Sequence, residues 1–452
     1  MRGLGFVLVA SVLAGCGAGV TGSALTGIPA HTAAAVHSGT NKIQHVVIVI
    51  QENRSFDNLF QGYPGADTQS YGYTSTGQKV SLIPVTLEAP WDVQHSSKSY
   101  FQACDGQGSL PGTKCKMDGF DQEEVTCGRP EGGPRCPNTT PQYAYVPQTE
   151  TKPYFAMAQQ YVLADKMFTS NLDGSSFISH QYAIAGQASS TVDFPLNYPW
   201  GCDGGPKDTI LTFTQQRTYG PPIQACFQNA TLGDELDAKE ISWRFYTSKI
   251  SSGENGTWSA YQAIEHIRYG PDWKQDVITP QTRFFKDVSG GKLPAVSWIT
   301  PTCANSDHAA CVSNHGPQWV ASLVNAVGKS KYWDSTAIFI FWDDYGGWYD
   351  HVPPPFADFD GLGIRVPLLV ISPYAKQGFV SHAQYEHGSI LKFVEDQFGL
   401  ARLAASDARA NSPQRDCFDF SQSPRAFVPI PTQMRAADFE REPLDGRPAD
   451  NE

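Results

Sequence analysis

His45-Val46-Val47-Ile48-Val49-Ile50 runs without a charged interruption into Gln51-Glu52-Asn53-Arg54-Ser55-Phe56-Asp57, and Ala337-Ile338-Phe339-Ile340-Phe341-Trp342 runs into Asp343-Asp344-Tyr345-Gly346-Gly347. Short apolar runs of this kind, with no polar face, read as strands buried on both sides in a parallel sheet. Ile241-Ser242-Trp243-Arg244-Phe245-Tyr246, Ala295-Val296-Ser297-Trp298-Ile299 and Val366-Pro367-Leu368-Leu369-Val370-Ile371 belong to the same class. Between them, Pro317 to Val327 and Ser389 to Phe398 carry apolar residues at helical spacing. Strands alternating with helices predict an α/β fold, a largely parallel central sheet flanked by helices. Such sheets bind ligands beyond the carboxyl ends of their strands. If the first two strands are neighbours, Glu52, Asn53, Asp343 and Asp344 meet at one edge. Carboxylates that close repel one another, and a divalent cation relieves the repulsion. An all-oxygen set suits a hard cation. Taken singly, the same residues could equally cap turns and helices.

Composition narrows the partners. Of 452 residues, 40% are hydrophobic and 17% charged, with a formal net charge of −12. That supplies a large core and excludes a disordered chain. It also argues against nucleic acid, which needs a basic face. A phosphorylated small molecule is not excluded, because one site can hold positive charge locally as a metal ion. Residues from about 60 to 150 show little periodicity and read as a loop-rich insertion, and 431–452 as a polar tail.

Arg2 precedes the apolar run Gly5 to Val12, which is too short to span a bilayer and suits a signal peptide over 1–15. Leu13-Ala14-Gly15-Cys16 resembles the bacterial lipobox, which implies lipidation of Cys16. Residues 16–41 would then tether the protein to a membrane of the bacterial cell envelope. An ordinary secretory signal is the alternative. The cysteines agree with export. Cys16 aside, Cys104 and Cys115, Cys127 and Cys136, Cys202 and Cys226, and Cys303 and Cys311 lie in loop-rich stretches. They are the simplest disulfide pairs, with Cys417 left over. None of the spacings is the CxxC of a zinc site.

Gln51 to Asp57 and Asp343-Asp344-Tyr345-Gly346-Gly347-Trp348-Tyr349-Asp350-His351-Val352-Pro353-Pro354-Pro355 resemble the bacterial phosphoesterase family of non-specific phospholipases C and acid phosphatases. Lys116-Met117-Asp118-Gly119-Phe120, Arg365-Val366-Pro367, Glu386-His387-Gly388-Ser389 and Phe418-Asp419-Phe420 extend the match over about 42–430. The resemblance implies an alkaline-phosphatase-like fold and phosphoric ester hydrolysis by a Ser or Thr beside one divalent metal cation. Its ligands would be Glu52, Asn53, Asp343, Asp344 and the nucleophile. Gly174 to His180 resembles the family's nucleophile turn, with Ile178 and Ser179 in place of the usual Pro and Asn. Ser176 aligns best, and Ser175 stays open. His95 in Trp91-Asp92-Val93-Gln94-His95 and His308 in Asp307-His308 match catalytic positions, His266 more loosely. His351 would orient the metal loop from behind.

The expected activity is an exported, metal-dependent phosphoesterase with a phosphoserine intermediate. The chain ends soon after the match, which leans towards an acid-phosphatase-like enzyme for phosphomonoesters. A phospholipase C acting on phospholipid is the alternative. A sulfatase would need Pro and Arg after the nucleophile, and Ser176-Phe177-Ile178-Ser179 has neither. A non-catalytic surface lipoprotein that binds a ligand is the reading from another class.

Overall fold

The computed structural model describes residues 42–127, 135–249 and 258–443. The proposed signal, Cys16 and its tether lie outside the described residues. Eight strands, numbered along the chain, form the main sheet: β1 (His45–Gln51), β2 (Val162–Phe168), β3 (Trp243–Tyr246), β4 (Val277–Ile278), β5 (Val296–Ile299), β6 (Thr336–Trp342), β7 (Arg365–Ile371) and β8 (Phe379–Ser381). Their order is β4-β3-β5-β1-β6-β7-β2-β8. Only β7 runs against the others. All five strands expected from the apolar runs are present. Three were not foreseen. In β2, Asp165 and Lys166 interrupt the run that marks a buried strand, while β4 and β8 are too short to carry a pattern. Pro367 sits in β7 where the pairing with β2 shifts register, which spares the sheet a missing donor.

The helices that bear on the site are α1 (Phe56–Phe60), α2 (Lys152–Gln160), α3 (Ser176–Ala185), α4 (Gly316–Gly328) and α5 (His387–Phe398). Side chains alternate across a strand, and β6 shows both covers. Phe339 and Phe341 meet Phe393 and His387 of α5, with ring centroids 4.8 and 5.1 Å apart. Trp342 points the other way and meets Tyr154 of α2 at 5.0 Å. The sheet is therefore buried on both faces, as its unbroken apolar strands require.

The insertion covers the carboxyl edge with a small core of its own, in which Tyr100, Phe120 and Tyr143 pack with Tyr345 and Tyr349. Disulfides join Cys104 to Cys115 and Cys127 to Cys136 within it, Cys202 to Cys226 beyond it, and Cys303 to Cys311 in the loop that carries Asp307 and His308. These are the expected pairs. Cys417 is buried and unpaired.

Candidate active site

Register brings the two acidic strand ends together. Gln51 of β1 lies beside Trp342 of β6, and Asp343 N donates to the Gln51 carbonyl at 2.9 Å. Glu52-Asn53 and Asp343-Asp344 therefore leave adjacent parallel strands at one level. Asn53 has a φ of 57°, a left-handed conformation that costs an Asn less than most residues. Its backbone N–H donates to Asp343 Oδ1 at 3.2 Å. Gly346 (φ 59°) lets the second loop close on the first: a Cβ there would lie 2.2 Å from the Asn53 carbonyl oxygen.

Ser176 opens α3, and its Oγ lies 3.4 Å from Asp344 Oδ2 and 3.5 Å from Asn53 Nδ2. The neighbouring Ser175 Oγ donates instead to the Asp193 carbonyl at 2.9 Å. Ser176 thus faces the carboxylates, and Ser175 is spent on the turn. Glu52, Asn53, Ser176, Asp343 and Asp344 are all buried.

The orientation of the Asn53 amide shows what this cluster can hold. His95 Nδ1 lies 2.7 Å from the Val93 carbonyl oxygen, which can only accept, so Nδ1 carries a proton. A neutral His95 then presents a lone pair at Nε2, to which Asn53 Nδ2 donates at 2.9 Å. This turns Asn53 Oδ1 towards Glu52 Oε2 at 3.0 Å and Asp343 Oδ1 at 3.3 Å. The reversed amide would give both carboxylates a donor, but it requires an imidazolium at His95. Oxygens converging on oxygens without a proton repel, and they are the donor set of a hard cation. The residues fit a divalent cation.

His308 is also here. Its ring lies 6.2 Å from that of His95 and 6.1 Å from that of Trp258, and its Nδ1 meets the Ala309 carbonyl, 3.9 Å from Asp92 Oδ2. His266 is not. It bonds Asp234 at 2.8 Å with its side chain 39% exposed, a surface pair that the looser sequence match could not distinguish from a site residue. His95 is in the cluster, with Nδ1 at the Val93 carbonyl and Nε2 at the Asn53 amide.

His351 lies behind the two loops. Its Nδ1 meets Asp57 Oδ2 at 2.6 Å and its Nε2 meets Asp67 Oδ1 at 3.1 Å. Burial alone would lower its pKa; the bond to Asp57 overrides this and raises it to about 9. The same network holds Arg365, fully buried, with Nε 3.0 Å from Asp350 Oδ1 and Nη2 3.5 Å from Asp57 Oδ1. Arg365 Nη1 also donates to the carbonyls of Asp67 and Asp165. Two buried carboxylates on one guanidinium tie α1, which follows β1, to the loop after β6. Arg365→Met should strand both charges and cost about 3–5 kcal/mol. Urea unfolding measures it, and a loss below about 1 kcal/mol would show that the network is dispensable.

Two further histidines lie within the sequence motifs that carry the family resemblance. His180, on α3, places Nε2 3.0 Å from Glu52 Oε1 and 3.6 Å from Asp343 Oδ2. His387, at the start of α5, lies against Phe341 and makes no well-formed hydrogen bond. Burial lowers the pKa of each to about 4, against the opposing effect of Asp343. The signal was present in Gly174–His180 and in Glu386–Ser389, but a pattern does not say which atom faces which.

A serine at a helix start, beside carboxylates and an amide that fit a divalent cation, suits hydrolysis of phosphoric esters. The sequence model of the phosphoesterase family matches residues 43–401, and the chain belongs to that family. Relatives include phospholipase C B of Mycobacterium tuberculosis, 25% identical over 433 residues, 86% of this chain and 80% of that one. The non-hemolytic phospholipase C of Pseudomonas aeruginosa is 24% identical over 429 residues, 82% of this chain and 56% of its own. Among solved structures, an alkaline phosphatase superfamily protein from Vibrio parahaemolyticus aligns over 82% of this chain and 71% of that one, at 12% identity and a TM-score of 0.36. No helix among the described residues is long and apolar enough to cross a membrane.

Proposed function

We propose that the protein is an exported, cation-dependent phospholipase C in which Ser176 takes the phosphoryl group from the substrate and passes it to water. The observation that carries this reading is the division of labour between the two serines: Ser176 Oγ faces Asp344 and Asn53, while Ser175 Oγ is bonded away. Glu52, Asn53, Asp343 and Asp344, with Ser176, would hold the cation. Bound there, it would supply charge against the phosphate oxygens and lower the cost of a serine alkoxide. Ser176 loses its proton to solvent and bonds to phosphorus as the bond to the glycerol oxygen breaks, and protonated His308 gives its proton to that oxygen. Water then attacks the same phosphorus in line and gives one proton to His308, and the phosphorylated head group leaves as Ser176 regains a proton from solvent. His95 keeps Asn53 in place throughout.

Two observations favour phospholipid. The relatives named above are phospholipases C, and the chain spans 80% of the length of the mycobacterial one. Leu196 and Tyr198, 75% and 55% exposed, follow Asp193, whose carbonyl receives the Ser175 hydroxyl. Exposed apolar side chains three and five positions beyond Asp193 would suit a substrate embedded in a lipid layer. Four disulfides agree with an oxidising compartment, and a lipid-modified Cys16 would hold the enzyme on the bacterial envelope.

The test compares phosphatidylcholine vesicles with p-nitrophenyl phosphate, with and without a chelator. Release of phosphocholine and diacylglycerol, lost on chelation and regained with added cation, is the expected result. Turnover of p-nitrophenyl phosphate alone would return the substrate to the phosphomonoesters. Full activity in metal-stripped protein would remove the cation from the reading.

A further inference from the structure

Resting on the cation site just proposed, the geometry points to His180 as its positioning residue: its Nε2–H, bonded to Glu52 and facing Asp343 from behind, turns the opposite oxygens of both carboxylates towards the cation. His180 lies one helical turn after Ser176, on the same face of α3. Its Nε2 faces two carboxylate oxygens, Glu52 Oε1 at 3.0 Å and Asp343 Oδ2 at 3.6 Å. A lone pair pointed at two anionic oxygens would be repelled, so the proton belongs on Nε2. His180 Nδ1, fully buried, has no hydrogen-bond partner.

The carboxylates are divided accordingly. Glu52 gives Oε1 to the ring and turns Oε2 towards Asn53 Oδ1, 3.0 Å away. Asp343 faces the ring with Oδ2 at 3.6 Å, a charge contact, and turns Oδ1 to the Asn53 backbone N–H at 3.2 Å and to Asn53 Oδ1 at 3.3 Å. Asp343 Oδ2 has no hydrogen-bond partner. A carboxylate turns easily about its last torsion, and mutual repulsion would swing these two apart. A donor behind them fixes the orientation, and removing such a donor typically costs 10–100-fold in metal affinity. His387 does not take this place: its ring lies against Phe341 and faces the backbone of Trp342 and Asp343.

Mn2+ binding to metal-stripped protein, followed by calorimetry, tests this in three variants. His180→Gln carries an amide N–H as far out as Nε2. His180→Asn places its amide near the position of Nδ1, short of the carboxylates, and His180→Met has no donor at all. Wild type and the Gln variant should bind one Mn2+ with similar affinity, while the Asn and Met variants bind it 10–100-fold more weakly. If the Met variant does not fold, the contrast between Asn and Gln still decides. Wild-type affinity in the Asn or Met variant would overturn the proposal. So would equal weakening in Gln, which would mean that the ring merely fills space. Two Mn2+ in wild type and one in the Asn variant would make His180 a ligand and overturn it too. No Mn2+ bound by wild type would overturn the cation reading beneath it, and the proposal with it.

Discussion

Ser176→Ala should lower kcat on the order of 10³-fold or more, the scale left when a nucleophile is removed and only binding and electrostatics remain. The hydroxyl begins a ten-residue helix, where unpaired backbone N–H groups and the helix dipole favour an anionic phosphoryl group. It also stands between Asp344 and Asn53, so its loss removes the atom to which phosphorus would bond. Ser175→Ala should cost far less. That hydroxyl makes one hydrogen bond to the Asp193 carbonyl, and its loss is worth about 1 kcal/mol of local stability. Acid-quenched wild type should carry phosphate on the peptide that contains Ser176, and the Ala variant should carry none. Near-wild-type turnover in Ser176→Ala, with loss in Ser175→Ala, would move the nucleophile by one residue. Turnover retained in both would mean that water attacks directly, and the covalent route would be abandoned.

Much of this site could be read before any coordinates. Glu52, Asn53, Asp343 and Asp344 converge because two apolar runs become adjacent parallel strands in the register that sets Gln51 beside Trp342. Strand ends are local features, and both parts of that inference were visible in the sequence. Arg365 was not legible in the same way. It stands 15 positions from Asp350 and 308 from Asp57, and nothing near it in sequence says that it is buried between them. His266 failed for the mirror-image reason, since a motif match carries no information about exposure. His95 lies in the cluster that its motif suggested, but which ring nitrogen carries the proton depends on the Val93 carbonyl two residues away. Strand β2 was hidden by its own chemistry. Asp165 sits in a buried strand because the Asp67 N–H and the His382 ring, each 2.8 Å away, meet its carboxylate.

Asp343→Asn should separate the cation from the fold. Asn keeps the volume and removes one charge from a buried group of three carboxylates, Glu52, Asp343 and Asp344. Without metal, those charges repel, so the metal-free variant should be at least as stable as the metal-free wild type. Adding cation reverses the order. A ligand that binds only the folded state stabilises it by about 2.7 kcal/mol at 100 times its Kd, and wild type should gain this where the variant gains almost nothing. Activity should fall with it, on the order of 10³-fold, because the variant cannot offset charge on the transferring phosphoryl group. Thermal unfolding with and without Mn2+ measures the first effect and steady-state turnover the second. Equal stabilisation of variant and wild type by Mn2+ would mean that the cation binds elsewhere. The place to look would then be Asp57, Asp350 and His351, the other carboxylate–imidazole group of this kind among the described residues. Arg365 and a protonated His351 together already offset the two carboxylates of that group, whereas no arginine or lysine pairs with Asp343 among the described residues. That difference in local charge is why the larger cation effect is expected at Asp343.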